Sequence, residues 1–321
     1  MICIISAGLL SSCILHSNGS NETISRKTLI MGTYLEIKII FNKDEILRSK
    51  IENEISEAIK LGQSLEQKLS MFDAGSELNE LNLSKKMNVT DDLYEVVKLA
   101  VEVSRDTNGY FDVTVAPLLK KQGFYTDVPK EVFVLIPDTY LQLGWEKIKF
   151  LENNIIELDG NIWLDLSGIA KGYIVDRIAK YLKQQNFGTF LVNAGGDMYC
   201  SSSDGHLWKI GIISPGENKV LEVLELKNEA VATSGDYENW VISDEDKNTK
   251  ISHIADPLEG DLLKKSFSSA TVIADTCAKA DALSTAMMAM GPVKASEIAK
   301  QDKSIRIINV NKTKTGYDIS E

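Results

Sequence analysis

Residues 31–41 alternate, with Thr33, Leu35, Ile37 and Ile39 on one face and Tyr34, Glu36 and Lys38 on the other. This is the two-residue period of a half-buried strand. From Glu45 to Leu69 the spacing lengthens: Ile51, Ile55, Ile59, Leu65 and Leu69 recur at helical intervals, with Lys50, Glu52, Glu57 and Lys60 between them. A long amphipathic helix is expected there. A second helix is expected over 91–106, where Thr90 offers an N-cap, Asp91 and Asp92 an acidic first turn, and Leu93, Val96, Val97, Ala100 and Val101 an inward face. Asn108-Gly109 ends it. Segments 154–158 and 161–166 read as two strands of a hairpin turning at Asp159-Gly160. A third helix is expected at 169–186, strands at 188–200, 208–213 and 221–226, and a strand running into a helix over 270–290. Ile305–Val310 and Tyr317–Ile319 would close the chain as a hairpin. Strands and helices in mixed order, without a strict βαβ rhythm, predict an α+β fold with large sheets.

A chain of 321 residues allows two domains or one large one. Its 44% hydrophobic and 25% charged residues exclude disordered, collagen-like and disulfide-scaffold classes. The balance of 35 basic and 46 acidic residues, a net charge of −11, with no basic stripe, argues against nucleic acid as a partner. An acidic protein that handles an anion needs a cation between them. Residues 2–12 form an apolar run too short to span a bilayer and read as the core of an export signal. Leu10-Ser11-Ser12-Cys13 resembles a bacterial lipobox. The expected organisation is a lipoprotein signal at 1–12, a polar tether at 13–29 and one body at 30–321, extracytoplasmic and held to a membrane by a lipid on Cys13. A buried strand is the alternative for the apolar run, but the polar Ser17 to Asn21 stretch reads as a tether. With Cys3 lost and Cys13 acylated, Cys200 and Cys277 remain, and a disulfide between them stays open.

Only His16, His206 and His253 are histidines, so a bound metal would be held by oxygens, as suits Mg²⁺ or Ca²⁺. Asp281 and Thr285 lie four apart on the last expected helix and stack on one face among Ala, Leu, Ser and Met. A carboxylate there is costly to bury unless a cation or hydrogen bonds compensate. The plainer reading of Asp281 is a cap or a solvent-facing side chain. Leu164–Tyr173 runs from strand through a small-residue turn into a helix, exposing amides to an anion with Lys171 in reach. It lacks the phosphate-loop spacing. The turns Asn193–Asp197 and Ala232–Tyr237 suit either a close ligand or plain tight turns. His253, beside Asp256-Pro257, could shuttle protons.

In one order, eight segments resemble the flavin transferase (ApbE) family. They are Met31-Gly32-Thr33; Ser70-Met71-Phe72 through Ser76-Glu77-Leu78 to Leu81-Asn82; Asn108 to Leu118; Asp165 to Tyr173; Gly195-Gly196-Asp197; Thr233-Ser234-Gly235; His253 to Pro257; and Ala280 to Thr285. The resemblance spans about residues 31–291 and implies a T-fold-like α+β architecture, mixed sheets packed with helices, and a flavin site in a cleft between two sub-domains. It further implies an Mg²⁺-dependent enzyme that splits the pyrophosphate of FAD, attaches FMN to a Thr or Ser of an exported flavoprotein acceptor, and releases AMP. By the same resemblance, Gly168, Asp281 and Thr285 would hold the metal. Met31, Phe72, Tyr110, Phe111, Asp112, Asp165, Lys171 and the backbone near Ala255 would contact FAD. Phe72 would lie against the flavin, Asp112 and Asp165 would be polar anchors, and His253 the general base for the acceptor hydroxyl. Two positions depart from the family's habit: Ser167-Gly168 stands where Gly-Ala is common, and Leu258-Glu259-Gly260 where a Thr or Arg before Gly is more usual. The alternatives are an FAD pyrophosphatase yielding FMN and AMP, and a flavin-binding lipoprotein without catalysis.

Overall fold

In the computed structural model, eight strands lie side by side in chain order and form one antiparallel sheet: β1 (Asn21–Ile30), β2 (Thr33–Asn42), β3 (Thr189–Ala194), β4 (Asp197–Ser201), β5 (Glu229–Gly235), β6 (Ser269–Ala274), β7 (Arg306–Lys312) and β8 (Tyr317–Ser320). The structure describes residues 21–138, 143–215, 217, 219–235, 240–242, 250–262, 268–313 and 316–320. The α+β class holds, as does the C-terminal hairpin.

The sheet's two-residue period divides its side chains between two cores. Phe190, Val192, Ala194, Ala230, Ala232, Val272 and Ile307 face the helices. Leu191, Met198, Cys200, Val231, Ile273 and Ile308 face the other way and are covered by a hairpin of Trp208–Ile213 and Val220–Leu226. The helices are α1 (Arg48–Leu69), α2 (Glu77–Ser84), α3 (Asp91–Asp106), the short α4 (Ala116–Lys121) and α5 (Lys130–Phe133), α6 (Ala170–Gln184) and α7 (Cys277–Gln301). All but α7 are inserted between β2 and β3, and α7 connects β6 to β7. α1 packs on α6, and α6 on α7. At Gly291, with φ 72° and ψ 176°, α7 breaks just before Pro292.

Four expectations need correction. Asn21 to Leu29, read as the end of the tether, belong to the sheet's edge strand; only Ile24 and Ile30 of β1 are buried, so its apolar alternation is thin, yet it pairs with β2 along its length. The preceding export segment, the lipobox and the rest of the tether lie outside the described residues. The hairpin expected across Asp159-Gly160 turns earlier, at Asn153 and Asn154, whose φ values of 59° and 54° are left-handed and join Ile148–Leu151 to Ile155–Leu158. Residues 162–166 are buried but unladdered: Asn82 exchanges hydrogen bonds of 2.9 and 2.7 Å with both backbone groups of Leu164 in place of a neighbouring strand. Thr90 does precede α3, but its hydroxyl donates to the Glu77 carboxylate at 2.6 Å and makes no capping bond. The pairing of Cys200 with Cys277, left open by the sequence, is not formed: both are free thiols. No helix among the described residues is long and apolar enough to cross a membrane.

Candidate functional site

The starts of α6 and α7 meet at a seam too narrow for side chains. A Cβ on Gly172 would come within 2.3 Å of the Cys277 carbonyl oxygen, so only glycine allows this approach. Thr276 caps α7 by accepting the Lys279 amide, and Asp176 of α6 accepts the Cys277 and Ala278 amides at 2.8 Å each. One turn further along α7, Asp281 is 2% exposed. Its Oδ2 accepts the Gly172 amide at 3.1 Å, one of the first-turn amides that a helix leaves without a partner. Its Oδ1 lies 3.4 Å from Lys171 Nζ. The same ammonium stands 3.0 Å from Asp197 Oδ2, a buried carboxylate delivered by the Gly195-Gly196 turn between β3 and β4.

Another turn along α7 lies Thr285. Its Oγ1 is 3.3 Å from Ser234 Oγ of β5, and Ser234 also meets Ser284 Oγ at 2.8 Å. A Cβ on Gly168 would fall 3.5 Å from Thr285 Oγ1 and 3.2 Å from Phe111 Cε2. The fold therefore brings together Gly168, Lys171, Asp281, Thr285 and Phe111, which are 174 positions apart at the extremes in chain order yet share one corner. Burial works against the charge on Lys171, but Asp197 and Asp281 more than offset it and hold its pKa above the ordinary lysine value. Burial also pushes the Cys277 thiol well up, so it stays protonated and unreactive.

The donors fit a hard cation. Among the described residues no three or more His, Cys, Asp or Glu converge as a metal cage, whereas a carboxylate, a hydroxyl and nearby main chain suit Mg²⁺, which keeps waters and substrate oxygens in its shell.

A second neighbourhood contains Asp112 and Asp165, and there the carboxylates are already occupied by the protein. Asp112 Oδ1 accepts the Thr114 amide and hydroxyl, both at 2.8 Å, and Oδ2 accepts the Trp145 amide at 3.2 Å. Burial raises its pKa to about 6 against the pull of those bonds. Asp165 Oδ1 accepts the Ser167 amide at 2.8 Å and the Ser167 hydroxyl, while Oδ2 accepts Tyr125 Oη at 2.6 Å. Burial, then the Asp165 charge, drives the Tyr125 phenol well above its usual pKa. Ala255, two residues past His253, shares a small apolar cluster with Leu118 and Leu119, and Tyr125 packs against that cluster. The short strand Ala255–Asp256 also touches α7. His253 is half-buried. Tyr110 takes a hydrogen bond from Lys294, whose Nζ lies 4.6 Å from the ring centroid.

Met31 and Phe72 belong to the far end of α1. Met31, at a left-handed φ of 47° in the β1–β2 turn, donates its amide to Glu66 Oε1 at 2.6 Å. Phe72, just past α1, is 47% exposed, an aromatic face open to a planar ligand. Three contributors escaped the sequence reading: Asp197 as the second partner of Lys171, Tyr125 as the partner of Asp165, and Asp176 at the start of α7. The first sits in the Gly195-Gly196 turn, but nothing in its spacing links it to Lys171; the other two carry no local signal.

Comparison with known proteins adds four findings. The model of the ApbE family matches residues 31–308. A relative from Vibrio cholerae named FAD:protein FMN transferase is 31% identical over 297 residues, covering 89% of this chain and 87% of the relative. Among solved structures, the flavin transferase ApbE from Vibrio cholerae superposes with a TM-score of 0.77 at 29% identity, covering 94% of this chain and 97% of that one. The apo form of the Pseudomonas stutzeri flavinyl transferase ApbE gives 0.79 at 25% identity, over 98% and 96%.

Proposed function

The chain belongs to the ApbE family, and from that premise we propose that it is an FAD:protein FMN transferase, moving FMN from FAD to a Thr or Ser hydroxyl of an exported acceptor protein and releasing AMP. The observation that carries this reading is the α6–α7 corner, where Lys171, two buried carboxylates and Thr285 converge beside Gly168. A store for FAD needs no such cluster of charge; a site that cleaves a pyrophosphate does.

Phosphoryl-type transfer asks the protein mainly for positioning and electrostatic stabilisation. Lys171, held charged by its two carboxylate neighbours, presents an ammonium to the pyrophosphate. Asp281, Thr285 and the main chain at Gly168 would hold Mg²⁺, which when bound offsets the repulsion between an acidic protein and its anionic substrate and draws charge from the departing AMP. The exposed ring of Phe72 offers a stacking face to the isoalloxazine. Asp112 and Asp165 serve through the turns they brace: Asp112 ties Thr114 to Trp145, and Asp165 fixes the Ser167-Gly168 turn. His253 would accept the proton of the acceptor hydroxyl, help typically worth ~10²–10⁴-fold. Attachment through a lipid on Cys13 would place the enzyme outside the cytoplasm beside exported acceptors.

The test incubates the purified protein with FAD, Mg²⁺ and a flavoprotein bearing the target Thr, with mass spectrometry of the acceptor. A covalent FMN adduct with stoichiometric AMP is expected. FMN and AMP without adduct would mean water takes the acceptor's place, and the absence of both products would overturn the enzyme reading.

A further inference from the structure

The contacts of α6 and the turn before it with α7 form a ladder with rungs four residues apart. Gly168, Gly172 and Asp176 descend one side at four-residue intervals, and Thr285, Asp281 and Cys277 descend the other. The first rung is the close approach of Gly168 to Thr285, the second is the Gly172 amide on Asp281, and the third is the Asp176 carboxylate on the Cys277 and Ala278 amides. Each helix thus caps the other: Asp281 satisfies a first-turn amide of α6, and Asp176 satisfies two of α7.

We infer that Asp176 is a positioning residue for the metal ligands, fixing the register of α7 against α6 so that Asp281 and Thr285 face Gly168. The inference rests on the reading that these residues hold the divalent ion. Three features support it. Asp176 uses both oxygens on the first two amides of α7 at 2.8 Å, which sets both the height and the rotation of that helix. Gly172 gives no slack, because any side chain there would strike the Cys277 carbonyl. From Cys277 to Thr285 the helix is continuous, its break coming only at Gly291, so a shift at its start is transmitted to both ligands. Thr276, the local cap, accepts the Lys279 amide of its own helix, and among the described residues this bond does not fix α7 against α6. Asp176 itself is directed at backbone amides and so acts through Asp281 and Thr285, not on the substrate.

The test measures Mn²⁺ binding directly, by the loss of free-ion paramagnetic resonance signal in FAD-loaded protein, for wild type and for D176N, D176E, T276A and D281A. Asn can accept one of the two amides and opposes the other with its own N–H. D176N should therefore weaken Mn²⁺ binding ~10–100-fold, the usual effect of losing an outer partner, with D176E intermediate and FAD affinity in metal-free buffer unchanged. T276A should lower the melting temperature yet leave Mn²⁺ affinity within about twofold. Wild-type Mn²⁺ affinity in D176N, with D281A weakened, would overturn the inference alone. Should D176N not fold, D176E decides: a loss of at least about threefold supports the inference and no loss overturns it. Wild-type affinity in D281A would overturn the metal reading and the inference with it.

Discussion

Asp112 and Asp165 differ from Asp197 and Asp281 in what compensates their burial. All four carboxylates are less than a tenth exposed. The first pair is satisfied by neutral donors: amides and hydroxyls of Thr114, Ser167, Trp145 and Tyr125, most of them within a few residues. The second pair faces a shared ammonium contributed from a distant segment. Neutral dipoles hold a carboxylate in place and leave nothing for a ligand to exchange. An ammonium between two carboxylates can be joined or displaced by another cation, so that corner is where divalent-ion chemistry fits.

The largest effect should come from Asp281→Ala. Losing its contribution to charge stabilisation, worth several kcal/mol, should lower Mg²⁺-dependent adduct formation ~10³-fold, measured by mass spectrometry; undiminished activity would erase the distinction between the two pairs. Next is Lys171→Met, which leaves Asp197 and Asp281 facing each other without a cation. Stability should fall by about 3 kcal/mol at most, because a third of the lysine side chain reaches solvent. Mg²⁺ should then raise the variant's melting temperature more than the wild type's; equal shifts would mean that no ion takes the ammonium's place.

Asp112 gives the neutral pair its own signature. Its folded pKa, about 6, lies above the ordinary value of 3.8. The folded state therefore holds a proton that the unfolded state has released. The stability this group contributes is full below about pH 4 and is lost as pH rises through 6. Asp112→Asn removes that titration and should flatten the decline between pH 4 and 6 by up to about 3 kcal/mol, at about 1.4 kcal/mol per pH unit; denaturant melts at several pH values would read it, and an unchanged slope would refute the cause. The smallest change is expected from Phe72→Ala, which loses one stacking face and should raise the KM for FAD ~3–10-fold with kcat nearly constant. A kcat effect instead would move Phe72 to the reacting end.

Long periodic segments were legible from sequence. The bounds of α3 follow from Asp91, Asp92 and Asn108-Gly109 because caps and breakers act locally. The stacking of Asp281 with Thr285 followed from helical spacing alone. What failed depended on distant partners. β1 looked like tether because its polar residues gain order only by pairing with β2. Residues 161–166 read as a strand because Ile162, Trp163, Leu164 and Leu166 are apolar, but Asn82, some 80 positions earlier, takes the place of a neighbouring strand. The links from Lys171 to Asp197, Tyr125 to Asp165 and Asp176 to α7 are likewise tertiary. Local spacing contains no trace of them.

The central claim is a divalent ion at the α6–α7 corner, and anomalous scattering from an FAD-loaded crystal grown with Mn²⁺ tests it most directly. The account predicts one strong peak with the Asp281 carboxylate and Thr285 hydroxyl at roughly 2.0–2.2 Å, as a small hard cation requires, beside Gly168 and against the pyrophosphate. A peak elsewhere, or those oxygens turned away from the phosphates, would contradict it.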